Sequence, residues 1–257
     1  MSARSFMAAA VVAAMVCAPA KAEDVKARGV NPAENDTRFD LILKHNWLRR
    51  GASIFTTTLK FDYRISQEIG FNVEFPVLGH FRSPAPAPGL GGLNDTGVGD
   101  VFTRLRYIVP LGTTSLGATS FGVAGEAVFP AASEPTLGSG VYQLNASALL
   151  VQAWSPTLIT AFIGKAAQSV EERRGVPRMQ ENTVRIVQAF ILPRGMYATV
   201  DGKYNWETVN RRDVWWEGTA ELGMMLDASS AVSVAVSRKW GDREDRGAVS
   251  VGFKRFF

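Results

Sequence analysis

From Ile54 onward, apolar and polar residues take turns along most of the chain. In Ile54 to Arg64, Phe55, Leu59, Phe61 and Tyr63 fall on one face, and Thr56, Thr58, Lys60, Asp62 and Arg64 on the other. Ile69 to Val77 repeats the pattern, with Phe71, Val73 and Phe75 set against Asn72 and Glu74. Val101, Leu105, Tyr107 and Val109 oppose Asp100, Arg104 and Arg106, and Phe121, Val123, Ala127 and Phe129 oppose Ser120, Gly122 and Glu126. Further on, Ala198, Val200, Tyr204 and Trp206 oppose Thr199, Asp201, Lys203 and Asn205. Trp216, Ala220, Leu222, Met224 and Leu226 oppose Glu217, Thr219 and Glu221, and Val232, Val234 and Val236 oppose Ser233 and Ser237. Successive side chains of a strand point to opposite faces, so each segment is predicted as a strand with one apolar and one charged face. The segments near 142–154, 158–168 and 181–192 alternate less cleanly, because Gln188 sits on an otherwise apolar face.

A soluble sandwich also alternates, with its polar faces turned to water. Connection lengths separate the two cases. Links alternate short and long: 66–68 then 80–96, 110–116 then 131–141, 155–157 then 170–180, 193–195 then 209–213, 227–230 then 241–247. Short turns at one end and longer loops at the other are the habit of outer-membrane barrels. Counting back from a periplasmic C-terminus makes Ile54 to Arg64 a descending strand, so an ascending one must precede it. Phe39 to Leu48 is the candidate, with Arg49, Arg50 and Gly51 as its loop. The fold class is therefore all-β: a closed antiparallel transmembrane β-barrel of about twelve strands, an even number as such barrels require. Under this threading Tyr63, Tyr107, Trp154, Tyr197 and Phe257 lie at the periplasmic ends, and Trp47, Tyr142, Trp206, Trp215, Trp216 and Trp240 at the outer ends. Two such girdles suit aromatic rings at a lipid-water boundary.

The N-terminus changes the picture of where the chain resides. Arg4, the apolar run Met7 to Val16 and the small-x-small site Ala20-Lys21-Ala22 read as an export signal over residues 1–22. The run is too short to cross a membrane as a helix. Residues 23–37 are then expected as a periplasmic N-terminal segment, and 38–257 as the barrel. Cys17 falls within the signal, so the mature chain would have no cysteine, which excludes a disulfide scaffold and a thiolate metal site. The whole chain carries a formal charge of +4, and removing Arg4 and Lys21 with the signal lowers it to +2. That balance gives no case for a nucleic-acid partner.

The last ten residues, Ala248 to Phe257, place Val249, Val251 and Phe253 on one face and Ser250, Gly252 and Lys254 on the other, and end on Phe256-Phe257. This resembles the closing strand of bacterial outer-membrane barrels, in which a terminal Phe marks the protein for insertion, so Phe257 is the expected assembly signal. Arg255 departs from that pattern, which more often has an apolar residue there. A second resemblance rests on Thr96-Gly97-Val98-Gly99-Asp100-Val101 with Arg104-Leu105-Arg106-Tyr107, and on Phe129-Pro130 with Leu137-Gly138-Ser139-Gly140. Over roughly residues 50–257 the chain is similar to the outer-membrane family named after the meta pathway of phenol degradation, often called transporter-like. Ser139 stands where that family usually has Thr. The resemblance implies a barrel for uptake of small, often aromatic or apolar, compounds, and names no substrate.

Catalytic candidates are few. Of two histidines, His45 and His80, only His80 has a nearby nucleophile in sequence, Ser83, and that spacing gives no geometric reason for contact. No His-x-His or carboxylate cluster has metal-ligand spacing, and no cofactor is expected. The Gly-x-Gly at 97–99 precedes a strand, so it offers no helix N-terminus for a phosphate. More informative are the charges on the polar faces: Lys60, Asp62, Arg64, Glu74, Asp100, Arg104, Arg106, Glu126, Asp201, Lys203, Glu217, Glu221, Lys239 and Lys254. In a barrel these line the lumen, either as a salt-bridged brace or as the wall of a polar channel, and Asp100 reads first as a structural acid. The loop Ser83 to Gly92, Pro-rich and then Gly-rich, is a candidate constriction or a surface loop. The sequence thus points to a transporter-like channel in the cell outer membrane. Its expected partners are outer-membrane lipid and lipopolysaccharide, the barrel assembly machinery and a small-molecule solute. The alternatives are a structural or surface-interaction barrel with a plugged lumen and, from a third class, an outer-membrane hydrolase.

Overall fold

A computed structural model describes residues 27–83, 94–170, 178–209, 213–242 and 245–257. The expected export signal and the stretch 84–92 of the Pro-rich loop lie outside these residues. Among the described residues there are thirteen strands: β1 Arg38–Leu48, β2 Ser53–Arg64, β3 Ile69–Arg82, β4 Asn94–Gly97, β5 Val101–Thr114, β6 Gly117–Phe129, β7 Gln143–Ser155, β8 Leu158–Ser169, β9 Gln180–Ile191, β10 Met196–Glu207, β11 Val214–Asp227, β12 Ser230–Gly241 and β13 Asp245–Phe256. All pairings are antiparallel. β1 pairs with β2 on one side and β13 on the other, Leu41 facing Leu59 and Phe253, so the sheet closes on itself.

β4 and β5 are two pieces of one stave, because both pair with β3: β4 along Gly79–Arg82, β5 along Ile69–Glu74. The barrel therefore has twelve staves. The break falls opposite Pro76, which has no N–H for the ladder; Gly99 N–H instead donates to the Pro76 carbonyl at 2.9 Å. Pro110 is absorbed differently. β5 continues through it to Thr114 with a register shift between Pro110 and Gly112, so the expected link 110–116 contracts to residues 115–116.

The period-two pattern sorts the two faces as expected. Phe61, Phe75, Leu105, Phe121, Leu150, Phe162, Ile186, Val200, Leu222, Val236 and Phe253 are exposed on the outside of the barrel. An outer surface this apolar is poorly suited to water and well suited to hydrocarbon. Tyr63, Tyr107, Trp154 and Phe257 flank the belt at the short-turn end, and Tyr142, Trp216 and Trp240 at the long-loop end. Tyr197 and Trp215 do not join these girdles: they face inward and are 2% and 4% exposed. Gln188 does face outward, and its polarity is satisfied locally. Trp154 Nε1 donates to Thr160 Oγ1, Thr160 Oγ1 donates to Gln188 Oε1 (both 2.8 Å), and Gln188 Nε2 donates to the Ile159 carbonyl at 3.2 Å.

The described part of the N-terminal segment runs inside the short-turn end of the barrel. Ala27 and Val30 are buried against the inward faces of Val151, Ile159, Ala161, Ala189 and Tyr197. Polar contacts hold the segment in place. Asn35 Nδ2 donates to the Gln67 carbonyl (3.0 Å), Arg106 Nη2 to the Glu34 carbonyl (3.1 Å) and Arg38 Nη1 to the Gly29 carbonyl (3.5 Å). Arg28 pairs with Asp36 at 3.4 Å and lies 4.8 Å over the ring of Phe256.

Candidate functional site

At the long-loop end, the connection 130–142 folds over the inner face of β3 and β4. Leu137 rests on Gly79, and a Cβ at Gly79 would lie 2.8 Å from Leu137 Cδ2. At Gly97 a Cβ would collide with Ser133, whose hydroxyl accepts the Val98 N–H at 3.1 Å. These glycines therefore admit a loop at backbone-contact distance. Asp100 clasps the same loop, accepting from Ala132 N–H (3.2 Å), Ser139 N–H (2.6 Å) and Ser139 Oγ (2.8 Å), while Thr136 Oγ1 donates to Asp95 at 2.9 Å. The two glycine-rich motifs of the sequence are thus the two halves of one latch. His80 bonds Thr96 across β3 and β4, Nδ1 to Oγ1, at 2.8 Å.

Below the latch, charged side chains from facing strands pair across the lumen wall. On β1 to β3, Arg38 meets Asp62 at 2.9 Å and Asp40 at 3.2 Å, and Lys60 bridges Asp62 (3.8 Å) and Glu74 (3.5 Å). Asp40 and Asp62 are buried, so this sector is filled. At a similar depth beside it, Lys254 Nζ donates to Glu221 (3.1 Å) and to the Tyr197 hydroxyl (2.7 Å), which itself donates to Glu221 at 2.9 Å. Gly223 makes room for Tyr197, since a Cβ there would enter its ring.

The opposite side is open. A cavity of about 640 Å³ lies along the inner faces of β5 to β12. Its charged wall contains Arg104, Arg106, Lys165, Arg185, Lys203 and Lys239 together with Glu126, Glu181 and Glu217. Glu126 receives Arg104 (2.8 Å), Lys165 (2.6 Å) and the Asn145 amide (3.1 Å). Asp201, buried behind this wall, pairs with Arg185 at 2.8 Å and Lys203 at 3.9 Å, and Lys203 also reaches Glu217 at 3.3 Å. Register explains two of these pairs: Arg104 stands opposite Glu126, and Lys203 opposite Glu217.

Of the residues singled out from sequence, Arg104, Arg106, Glu126, Lys203, Glu217 and Lys239 meet at this cavity, with Asp201 behind them. Lys60, Asp62 and Glu74 belong to the filled sector, Glu221 and Lys254 to the Tyr197 cluster, and Asp100 to the loop latch. Sequence reasoning passed over Arg38, Asp40, Lys165 and Arg185. Lys165 and Arg185 were within its reach: each lies in an expected strand, flanked by Gly164 and Ala166 or by Val184 and Ile186, where a lone charge faces the polar side.

No family model matches the chain, and no curated protein does. Among solved structures, it is similar to the COG4313 outer membrane channel from Pseudomonas putida F1, with 14% identity over 91% of this chain and 98% of that one and a TM-score of 0.67. It is also similar to the NanC porin, at 10% identity over 84% and 99% of the two chains (TM-score 0.57). The KdgM porin in complex with disordered oligogalacturonate matches at 10% identity over 85% and 99% (TM-score 0.53). At such identities the likeness is one of architecture: the chain has the closed β-barrel fold of outer-membrane channels and porins.

Proposed function

We propose that this chain is an outer-membrane, transporter-like channel for small molecules, whose solute path runs beneath the latched loop, through the charged cavity and past the N-terminal segment. The observation that carries the reading is the cavity itself: one sector of the lumen is packed with ion pairs while the other keeps about 640 Å³ of space lined by charged side chains. The exterior apolar belt with its two girdles supports a membrane location, because a closed barrel is one of the two architectures that leave no backbone polar group unpaired in lipid. The fold shared with outer-membrane channels and porins supports the same reading. Lys60, Asp62, Glu74, Asp100, Glu221 and Lys254 brace the barrel and its loop, whereas Arg104, Arg106, Glu126, Lys203 and Glu217, backed by Asp201, form the channel wall.

Arg104, Arg106, Lys165, Arg185 and Lys203 outnumber Glu126, Glu217 and the Asp201 behind them, which gives the path a positive bias, so small anions should pass more readily than cations. The double variant Arg104→Gln with Lys203→Gln removes two positive charges yet leaves Glu126 with Lys165 and Asp201 with Arg185. In planar bilayers under a salt gradient, the wild type should be anion-preferring, and the variant should lose about twofold or more of that preference. A wild type that inserts, folds and never conducts would favour a structural barrel with a plugged lumen.

A further inference from the structure

The cavity is two-sided. Toward the short-turn end its walls are Ile108, Leu149, Ile163 and Val187, and Pro32 of the N-terminal segment closes the floor. Toward the long-loop end stands the charged wall. Its carboxylates do not balance its cations: Glu126 alone serves Arg104 and Lys165, and with Glu181 and Lys239 left aside, Arg104, Arg106, Lys165, Arg185 and Lys203 outnumber Glu126, Glu217 and the buried Asp201 by two. Arg106 has no carboxylate within 4 Å among the described residues; its described partner is the backbone carbonyl of Glu34.

An inorganic anion would satisfy the cations but leave the apolar floor against water, and a neutral apolar molecule would fill the floor while stripping water from the cations without replacing it. One ligand chemistry answers both halves. We infer that the cavity binds a small amphipathic organic anion, its carboxylate held by Arg104, Arg106 and Lys165 and its apolar body laid against Ile108, Leu149 and Ile163. Charge-assisted hydrogen bonds from guanidinium and ammonium groups fix the head, and burial of the tail in a preformed pocket supplies the rest of the affinity. This deepens the channel reading by naming its solute class and rests on the same cavity lying on the solute path, so binding is measured apart from conduction.

Calorimetric titration of the full chain in phosphatidylcholine nanodiscs tests it with three probes: hexanoate, its neutral analogue hexanamide, and acetate, which lacks the tail. Hexanoate should bind at least about tenfold more tightly than either analogue. Lys165→Gln leaves Glu126 paired with Arg104 and should weaken hexanoate binding about tenfold, while Lys165→Arg should retain it. The gel shift on heating confirms that both variants fold. Equal binding of hexanamide would mean an apolar pocket with no role for the cations, equal binding of acetate a general anion site, and no binding of hexanoate no such site; each overturns the inference. Hexanoate binding by a barrel that never conducts would sink the channel reading alone, and conduction without hexanoate binding would sink this inference alone.

Discussion

Glu126 is a hub of the cavity wall. Two cations and an amide converge on a side chain that is 3% exposed. Glu126→Gln keeps the shape but leaves Arg104 and Lys165 facing each other without a counter-charge. We expect a loss of about 2 kcal/mol, less than a dry pair would give because both cations keep contact with lumen water. Urea unfolding in lipid vesicles measures it, and the same variant should be more anion-preferring than the wild type; unchanged stability would show that the pairs do not brace the wall. Gly223→Val tests packing rather than charge, since its Cβ enters the Tyr197 ring in a site with no slack. Such overpacking costs about 1–3 kcal/mol and should lower the temperature of the heat-induced gel shift. Single-residue orientation was legible wherever the alternation was followed strictly. Tyr197 precedes Ala198 and Trp215 precedes Trp216, and Ala198 and Trp216 lie on the apolar face, so their neighbours must point inward. Reading them as girdle residues weighed aromatic character above phase.

The strands were legible because lipid outside and water inside impose opposite demands on successive side chains, which is the strongest local signal a barrel has. Two elements left no such trace. The N-terminal segment has no periodicity, and its position depends on groups distant in sequence, such as Gln67, Arg106 and Phe256. The loop latch likewise joins motifs whose glycines were visible but whose partners, Leu137 and Ser133, were not. Gly97→Leu should displace Ser133 and Leu137 and unlatch the loop 130–142. Protease added to intact cells should then cut this loop faster than in the wild type; equal cleavage rates would mean that the loop does not depend on the close approach. The last strand allows a separate test. Phe256 packs inside on the N-terminal segment, whereas Phe257 is 73% exposed on the outer face, and its N–H donates to the Thr37 carbonyl at 3.0 Å. Deleting Phe257 should therefore reduce the amount of folded, heat-modifiable barrel in membranes while leaving the lumen of the assembled fraction unchanged. Normal amounts of folded barrel would show that this residue carries no assembly information.

At the scale of the whole molecule, closure and stave number followed from counting connections, and they hold although one stave is broken, between β4 and β5 and opposite Pro76. Orientation in the membrane is a further step. A tag between Arg174 and Gly175, in the connection between β8 and β9, should be accessible on intact cells, and one beside Pro193, in the short turn between β9 and β10, should not. Labelling of the second and not the first would reverse the barrel. What the lumen does depends on the segment that closes its floor, where Pro32 meets the cavity and Ala27 and Val30 fill the short-turn end. Single-channel recording of the full chain beside a variant lacking residues 27–36 bears on this directly. The full chain should give small, anion-preferring current steps and the deletion variant distinctly larger ones with the same preference, because the wall charges stay in place while the obstruction is gone. Two correctly folded barrels that are both silent would contradict the reading of this lumen as a channel.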